Sequence, residues 1–417
     1  MPRRIFFDGT ESFWRPENRT GIQRVAREVC RRCRDIVPAG VEVQAVQFDG
    51  RHWGAFENVD GPVYRAFVWA RLFTFRCRSL RRLARAKLKS NPAHVASAFR
   101  FLGGFLGSIV GSILAACVRR CLRQTKAIKL SRGDTLVVVE YPIHRLQSIA
   151  GAKARGVHVI MFIYDCVPLS HPEFYRDMKE FGEFFQWVSR QAEGIMTISA
   201  FSEQEIKSRL PDTCGPWVDY FHLGADASTP VALRPQIALA EAVSRPCFLM
   251  VGTVAPHKNH LQVLDAMERL WARGVDANLL IIGKVGWQAD ELLGRISFHP
   301  ELGRRIFIFH ELGDAELGFA YQKSHALIAA SYIEGFGLPV IESLSRGLPV
   351  IASDIAVFRE IAGESVEFFP LGNVDKLAEI IDRSASSPRR TVRNWKWLDW
   401  DSSTALLVDK VIRRTYD

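Results

Sequence analysis

Two glutamates, Glu334 and Glu342, stand in E-x7-E spacing inside "SYIEGFGLPVIESLSRGLPVIASD", residues 331–354. Between them lie Gly335, Phe336, Gly337, Leu338 and Pro339. The apolar run "HALIAAS" ahead of them predicts a strand ending at Ser331. Pro339 suits the first turn of a helix running through Glu342, where a missing N–H costs nothing. The glycines therefore fall in a loop at a strand's carboxyl end, just before a helix N-terminus. Free amides and the helix dipole at such a place favour an anion such as a diphosphate, and glycine lets the backbone approach it closely. Two carboxylates beside phosphates would repel them unless they face something else. Sugar hydroxyls, which donate hydrogen bonds, are suitable partners.

Open α/β units are the elements that must position such a loop. "RRIFFDG" predicts a first strand, "RVAREVCRRCRDIV" a helix with Val25, Val29, Cys33 and Val37 four apart, and "GVEVQAVQF" an alternating strand. "DTLVVVEYP", "HVIMFIYD" and "GIMTIS" are continuous apolar runs of the kind that parallel strands buried on both faces show. A second series follows the Pro-bearing stretch "STPVALRPQIALAEAVSRP", read as a linker. It comprises the strands "CFLMVGT", "NLLIIGK", "RRIFIFHEL" and "HALIAAS", with the helices "HLQVLDAMERLWARG" and "DAELGFAYQKS", the latter capped by Asp314. "DSSTALLVDKVIRR" reads as a final capped helix. Two doubly wound, Rossmann-like halves facing a cleft follow from this order, with ligands at the carboxyl ends of the strands. The boundaries read from the sequence are 1–235, 236–394, and a C-terminal helix over 395–417 that packs back on the first half.

With its E-x7-E spacing, "EGFGLPVIE" resembles the donor motif of retaining glycosyltransferases of family four, which have the two-domain glycosyltransferase-B fold. "VGTVAPHKNHLQVLDAM", "LLIIGKVGW", "ELGDAELGFAYQKSHALI" and "GLPVIASDIAVFREIAGESVEFF" follow the same pattern. In the first half, "TGIQRVAREV" resembles the opening loop and helix of the mannosyl- and rhamnosyltransferases that build bacterial surface polysaccharides. The resemblance implies that Glu334 contacts the donor sugar, that the amides of Gly335, Phe336, Gly337 and Leu338 hold sugar and diphosphate, and that Glu342 binds the ribose. It makes Lys258, in "PHKN", the cation that neutralises the departing diphosphate. Gly21, Gly252, Thr253, Asn259 and Gly283 complete the implied donor site. Thr253 stands where family members often carry Arg, and Arg24 in the first loop is a substitute for that charge. Tyr164 stands where a His commonly precedes the aspartate, so Asp165 is the residue expected to contact the acceptor hydroxyl or the donor sugar. "TISAFSEQEI" and "HLGAD" also fit, with Ser199 a helix cap and His171 a structural loop residue.

The chemistry implied is sugar transfer with retained configuration from a nucleotide-sugar co-substrate, GDP-sugar favoured. The expected acceptor is a lipid-linked or lipopolysaccharide glycan. No matched nucleophile is evident, so a front-face displacement is expected, with Lys258 and the loop amides as preorganised electrostatic stabilisers. No D-x-D pair occupies a position for a metal, so no metal and no further cofactor are expected. Two rival readings remain: a nucleotide-sugar epimerase or phosphorylase of the same fold, and a non-catalytic membrane-bound scaffold. A dinucleotide-dependent dehydrogenase is disfavoured because no G-x-G-x-x-G follows a strand.

Composition adds the partner. The 417-residue chain has net charge +10, yet residues 61–133 hold sixteen Lys or Arg and no Asp or Glu, so the remainder is acidic. Within this region Arg71, Arg78, Arg82, Arg85 and Lys89 form one helical stripe. Phe101–Val118 is an uncharged run of about 27 Å if helical, marginal for a bilayer span. We read 66–132 as an insert of membrane-associating helices that holds the protein on an anionic inner leaflet. A buried helical insert with a solvated basic face is the alternative, and nucleic-acid binding is not expected. "MPRRIFFDGT" has too short an apolar run for a secretion signal, which implies a cytoplasmic protein at the inner face of the membrane. The eight scattered cysteines, including Cys30 and Cys33, read as thiols in a reducing compartment.

Overall fold

A computed structural model describes residues 3–15, 21–36, 40–55, 66–71, 73–74, 77, 109–110, 112–113, 127–175, 178–211, 215–226 and 235–416. Most of the 66–132 insert, and most of Phe101–Val118, lies outside these residues. Among the described residues no helix is long and apolar enough to cross a membrane. The chain forms two compact units: Met1–Phe162 with Gln191–Glu193 and Val408–Asp417, and Ile163–Arg190 with Gly194–Leu407.

In the first unit, β1 (Arg3–Asp8) is followed by the short α1 (Thr10–Trp14) and by α2 (Gly21–Arg32), whose Val25, Ala26, Val29 and Cys30 are buried. Strands β2 (Val41–Phe48), β3 (Trp53–Ala55), β4 (Ala127–Ile128) and β5 (Thr135–Val138), helix α3 (Leu146–Ala154) and strand β6 (His158–Phe162) complete it. The strands lie in the order β4-β3-β2-β1-β5-β6. β1 pairs in parallel with β2 and β5, and β5 with β6, whereas β3 runs antiparallel to both neighbours. All four residues of β5 are buried, as the apolar run from Leu136 to Val138 requires. Cys30 and Cys33 are free, buried thiols, and burial pushes Cys33 up to about 12.

The second unit holds α4 (Val167–Ser170), most of α5 (Lys179–Gln191), and the parallel pair β7 (Gly194–Thr197) and β8 (Trp217–Tyr220), with α6 (Ala200–Lys207) between them. After α7 (Ile237–Ala242) comes a six-stranded parallel sheet. Its elements are β9 (Cys247–Val251), α8 (His260–Ala272), β10 (Asn278–Ile282), α9 (Asp290–Ser297), β11 (Ile306–Phe309), α10 (Asp314–Lys323), β12 (Ala326–Ala329), α11 (Leu338–Ser345), β13 (Val350–Ser353), α12 (Ala356–Ala362), β14 (Glu367–Phe369) and α13 (Val374–Ala385). Helix α14 (Trp400–Tyr416) ends the chain. The sheet order is β11-β10-β9-β12-β13-β14. The chain thus builds outward from β9 in one direction, then returns to the centre at β12 and builds outward in the other. Helix α8 buries Val263, Leu264, Met267 and Leu270 at helical spacing against Phe248, Leu279 and Ile281 of the sheet and Leu377 of α13.

Two expectations need correction. The stretch read as a linker contains α7, because Leu239 and Ala242 find a buried position beneath it. Helix α10 takes Gly313, not Asp314, as its N-cap: Asp314 lies in the first turn, and the Glu316 carboxylate accepts from the Gly313 amide at 3.1 Å. Ser199 does cap α6, accepting from the Ser202 amide at 3.0 Å.

Candidate active site

The point at which the sheet order reverses lies between β9 and β12. Loops leaving the carboxyl ends of two strands that diverge there open a crevice between them, which is where open α/β sheets take their ligands. Residues 252–259 leave β9 and residues 330–337 leave β12. Their proximity is therefore a consequence of topology. The Tyr332 amide donates to the His257 carbonyl at 2.8 Å, and the Ser353 hydroxyl donates to the Ser331 carbonyl at 2.6 Å, so the two loops are bound to each other and to β13.

Lys258 and Glu334 meet across this junction. The Lys258 ammonium donates to Glu334 Oε1, and the Ser331 hydroxyl donates to the same oxygen at 2.6 Å. Both charged side chains are largely withdrawn from water, 19% and 14% exposed respectively. Burial opposes ionisation of Glu334, but the Lys258 charge and hydrogen bond, with help from Ser331, outweigh it and hold the carboxyl below its usual range. The site therefore carries a preformed ion pair, which lines a small pocket together with Gly337, Pro339 and Val340 at the start of α11.

The start of α11 is shaped by glycine. Gly337, the residue before α11, has φ 112°, and a Cβ there would lie 2.6 Å from the Phe358 ring. Pro339 stands in the first turn, as the sequence predicts. A Cβ on Gly335 would approach Asp165 Cβ to 2.8 Å and its Oδ2 to 2.9 Å. The Gly335 carbonyl accepts from Ser199 at 2.7 Å and Ser202 at 3.2 Å, which fixes the orientation of that peptide. On the β9 side, a Cβ on Gly283 would fall 1.7 Å from the Gly252 carbonyl oxygen, so this pair of glycines lets the loops after β9 and β10 touch. Val254 and Val285 then form a bridge, and Gly252 itself has φ 141° with Lys258 directly above it.

The structure thus gathers Gly252, Lys258, Glu334, Gly335, Gly337 and Asp165 at one place. Thr253 and Gly283 belong to the same pair of loops, and Leu338 opens α11. Asp165 is half-buried, with Oδ1 accepting from the Val167 amide at 3.0 Å. Burial raises its pKa to about 6, against the Val167 hydrogen bond, and the nearby Glu334 charge adds to the rise. The other expected residues have these surroundings. Asn259 has φ 55° and is buried, its amide donating to Gln262 Oε1 at 2.6 Å. Phe336 packs its buried ring near His222 and Trp397. Glu342, 3% exposed, accepts from the Tyr321 hydroxyl at 2.9 Å. Gly21 and Arg24 open α2 in the first unit. His171 packs on Phe174 and bonds Glu173 at 2.9 Å, a structural loop role.

Sequence reasoning passed over several neighbours. His257 packs against Tyr175 and Trp287, whose rings also meet each other, and burial brings its pKa down to about 4, so the ring beside Lys258 is neutral at pH 7. His260 falls to about 3 for the same reason. Glu360 accepts from the Ala200 and Phe201 amides at 2.7 and 3.0 Å and from His222 at 2.7 Å, anchoring the helix that carries Ser202. No spacing in the sequence links these residues. Only the acidic and aromatic types at strand ends hint at them.

Residues 237–396 match the family model described as glycosyl transferases group 1. The chain is 33% identical over 306 residues to a serotype-specific mannosyltransferase of Escherichia coli, WbdA, an alignment that covers 67% of this chain and 37% of that protein. It is 26% identical over 236 residues to O-antigen chain mannosyltransferase B of the same species, covering 52% and 59%. The chain therefore spans little more than a third of the length of the first of these relatives. Among solved structures, a sucrose-phosphate synthase from Thermosynechococcus elongatus superposes with TM-score 0.62 at 16% identity over 99% of both chains. A trehalose-phosphate synthase from Burkholderia xenovorans does so with TM-score 0.59 at 14% identity over the whole of both. These likenesses establish the glycosyltransferase-B fold that the sequence pattern implies.

Proposed function

With residues 237–396 a glycosyl transferases group 1 domain, we propose that the protein is a retaining, metal-independent glycosyltransferase. It moves mannose or a related deoxyhexose from a nucleotide sugar, GDP-sugar favoured, to a lipid-linked or lipopolysaccharide glycan at the inner face of the cell membrane. The observation that carries this reading is the Lys258–Glu334 pair beside the amides of Gly335–Leu338 at the sheet's reversal point. A cation and free amides suit a diphosphate, and a carboxylate beside them suits the hydroxyls of the sugar attached to it. In the transfer, the bond from the anomeric carbon to the donor diphosphate breaks with the electron pair leaving on phosphate oxygen. The acceptor hydroxyl forms the new bond on the same face, and its proton passes to that phosphate oxygen. Lys258 and the amides stabilise the charge that develops there. Likeness to the O-antigen and serotype-specific mannosyltransferases supports the choice of sugar and acceptor. The basic segment supports residence at an anionic surface, since the apolar side chains of Trp69, Val110 and Ile113 within it are each about three-fifths exposed.

The deciding experiment incubates the protein with a panel of nucleotide sugars and a lipid-linked glycan, with and without EDTA, and reads the first product by NMR. Transfer from a GDP-sugar, with the anomeric configuration kept and no loss on chelation, is expected. Epimerised or phosphorolysed donor without a glycan product would overturn the reading. Inverted product or loss of activity with EDTA would overturn the mechanism alone. Deleting residues 71–129 should shift the protein from membrane to soluble fractions, and an unchanged distribution would remove the membrane surface as a partner.

A further inference from the structure

Outside the site described above, the first unit contains a cavity of about 790 Å³ at the carboxyl ends of β1 and β5. Trp14, Arg15, Asp49, Arg71, Arg145 and Ser148 are among its walls. Arg145 is its best-defined group. The side chain is nine-tenths buried, and Nη1 donates to Asp8 Oδ2 at 3.0 Å. Asp8 is itself fully buried and bound by the Thr10 hydroxyl, and by the Thr10 amide at 3.1 Å. This fixes one edge of the guanidinium. The other edge, Nε and Nη2, is buried and has no hydrogen-bond partner.

A buried guanidinium with two unsatisfied donors is costly, and such a group is normally paired. Nε and Nη2 are the two donors that present parallel N–H bonds to a pair of oxygens on one atom, the geometry that carboxylates and phosphates fill. The nearest acid, Glu11, stops 3.6 Å from Nε and the same distance from Arg15 Nε. It lies between the two arginines without hydrogen-bonding the fork, and it is the side chain that would yield to a stronger anion. The other acid in the wall, Asp49, turns its carboxylate into its own turn, accepting from the Arg51 and His52 amides at 2.7 and 2.8 Å. Arg15 and Arg71 add positive charge, and the volume far exceeds that of a bare ion. A dianion on a larger molecule matches this better than a single negative charge.

We propose that this cavity is a phosphate-ester site, with Arg145 engaging two phosphate oxygens through Nε and Nη2 and with Arg15 and Arg71 around the remaining charge. The assignment is independent of the transfer reading, because it is measured by binding alone. The phosphate has two possible carriers, a soluble sugar phosphate and a lipid headgroup, which the test separates.

The experiment uses full-length protein carrying Lys258→Ala, so that phosphate binding near α11 is suppressed. Calorimetry is run with mannose 1-phosphate and with methyl glucuronide, and flotation with phosphatidylcholine vesicles containing or lacking polyprenyl phosphate. Binding of mannose 1-phosphate identifies a soluble carrier, and binding only to phosphate-bearing vesicles identifies a lipid one. With either ligand, Arg145→Lys, which keeps the charge facing Asp8 but loses the fork, should weaken binding about tenfold or more. Glu11→Gln should tighten it, because a like charge beside the fork is removed. Arg15→Ala, at an exposed position, should weaken it and serves as the test if Arg145→Lys fails to fold. The proposal is overturned if neither phosphate ligand binds, or if methyl glucuronide binds as well as the phosphates. It is equally overturned if Glu11→Gln weakens binding, or if the arginine variant that folds binds like its parent.

Discussion

Replacing Lys258 with Met tests the ion pair independently of any sugar. The substitution keeps most of the length of the side chain and removes the charge that holds Glu334 ionised. Glu334 retains the Ser331 hydrogen bond at 2.6 Å, but its carboxylate, 14% exposed, then has no countercharge in the pair. Removing one member of such a pair costs about 3 to 5 kcal/mol when the other remains charged and buried. Partial exposure and the surviving hydrogen bond place this case at about 3 kcal/mol, and for a unit of this size each kcal/mol moves the melting temperature by about 2 to 4 °C. A fall of about 6 to 12 °C in the transition of the second unit is therefore expected at pH 8. The pH dependence gives the sharper check. In the parent, the Glu334 pKa is lowered on folding, so the pair's contribution is complete above the unfolded carboxyl value and is lost as pH falls through the folded one. In Lys258→Met the largest influence opposing burial is gone, so burial prevails over the Ser331 hydrogen bond and raises the pKa, and the penalty is present at high pH and disappears as the carboxyl protonates. The stability difference between the two proteins must therefore shrink on acidification from pH 8 to pH 5. Urea unfolding followed by tryptophan fluorescence at several pH values measures it, and Lys258→Met combined with Glu334→Gln should recover most of the loss at pH 8. A difference that stays constant with pH, or a double variant no more stable than the single one, would refute the argument.

Three further outcomes follow from the same geometry. Asp165 has its pKa raised on folding to about 6, so its ionised form is the disfavoured one and destabilises the fold above that pH. Asp165→Asn should stabilise the second unit at pH 8, lose that advantage by about pH 4, and remove an inflection near pH 6 from the pH profile of transfer. Gly335→Ala drives a methyl group against Asp165, and Gly337→Ala adds an unfavourable φ to a clash with Phe358. Each should cost about 1 to 3 kcal/mol in urea unfolding and weaken nucleotide-sugar binding in calorimetry. Tyr321→Phe takes the donor away from buried Glu342 and should cost about 1 to 3 kcal/mol, a loss measured by the same unfolding assay.

Much of the site was legible because its signals are local. A strand that must be apolar, a glycine pair that must turn tightly and a proline that must begin a helix lie within a few residues of one another around Glu334. The "PHKN" loop repeats the logic around Lys258. Residue type and spacing are enough to say that these loops sit at strand ends and that one of them offers amides to an anion. The doubly wound order was readable for the same reason, since strands buried on both faces leave long apolar runs. The short strands β3, β4 and β14, of two or three residues each, are too brief to leave such a pattern.

What the tertiary structure alone decided are the partners that come from far along the chain. Nothing near Asp165 in the sequence says that it closes on Gly335, or that Ser199 and Ser202 hold that residue's carbonyl. Glu342 has the type and position to meet a ribose, yet a tyrosine 21 residues earlier already binds its carboxylate. Arg145 looks like any arginine after a strand until Asp8 takes one edge of it and leaves the other without a partner. Sequence determines which groups each loop carries because backbone preference and hydrophobic period act over a few residues. Which of those groups end up charged, neutral or paired depends on burial and on charges from distant segments, and those exist only once the sheets have assembled.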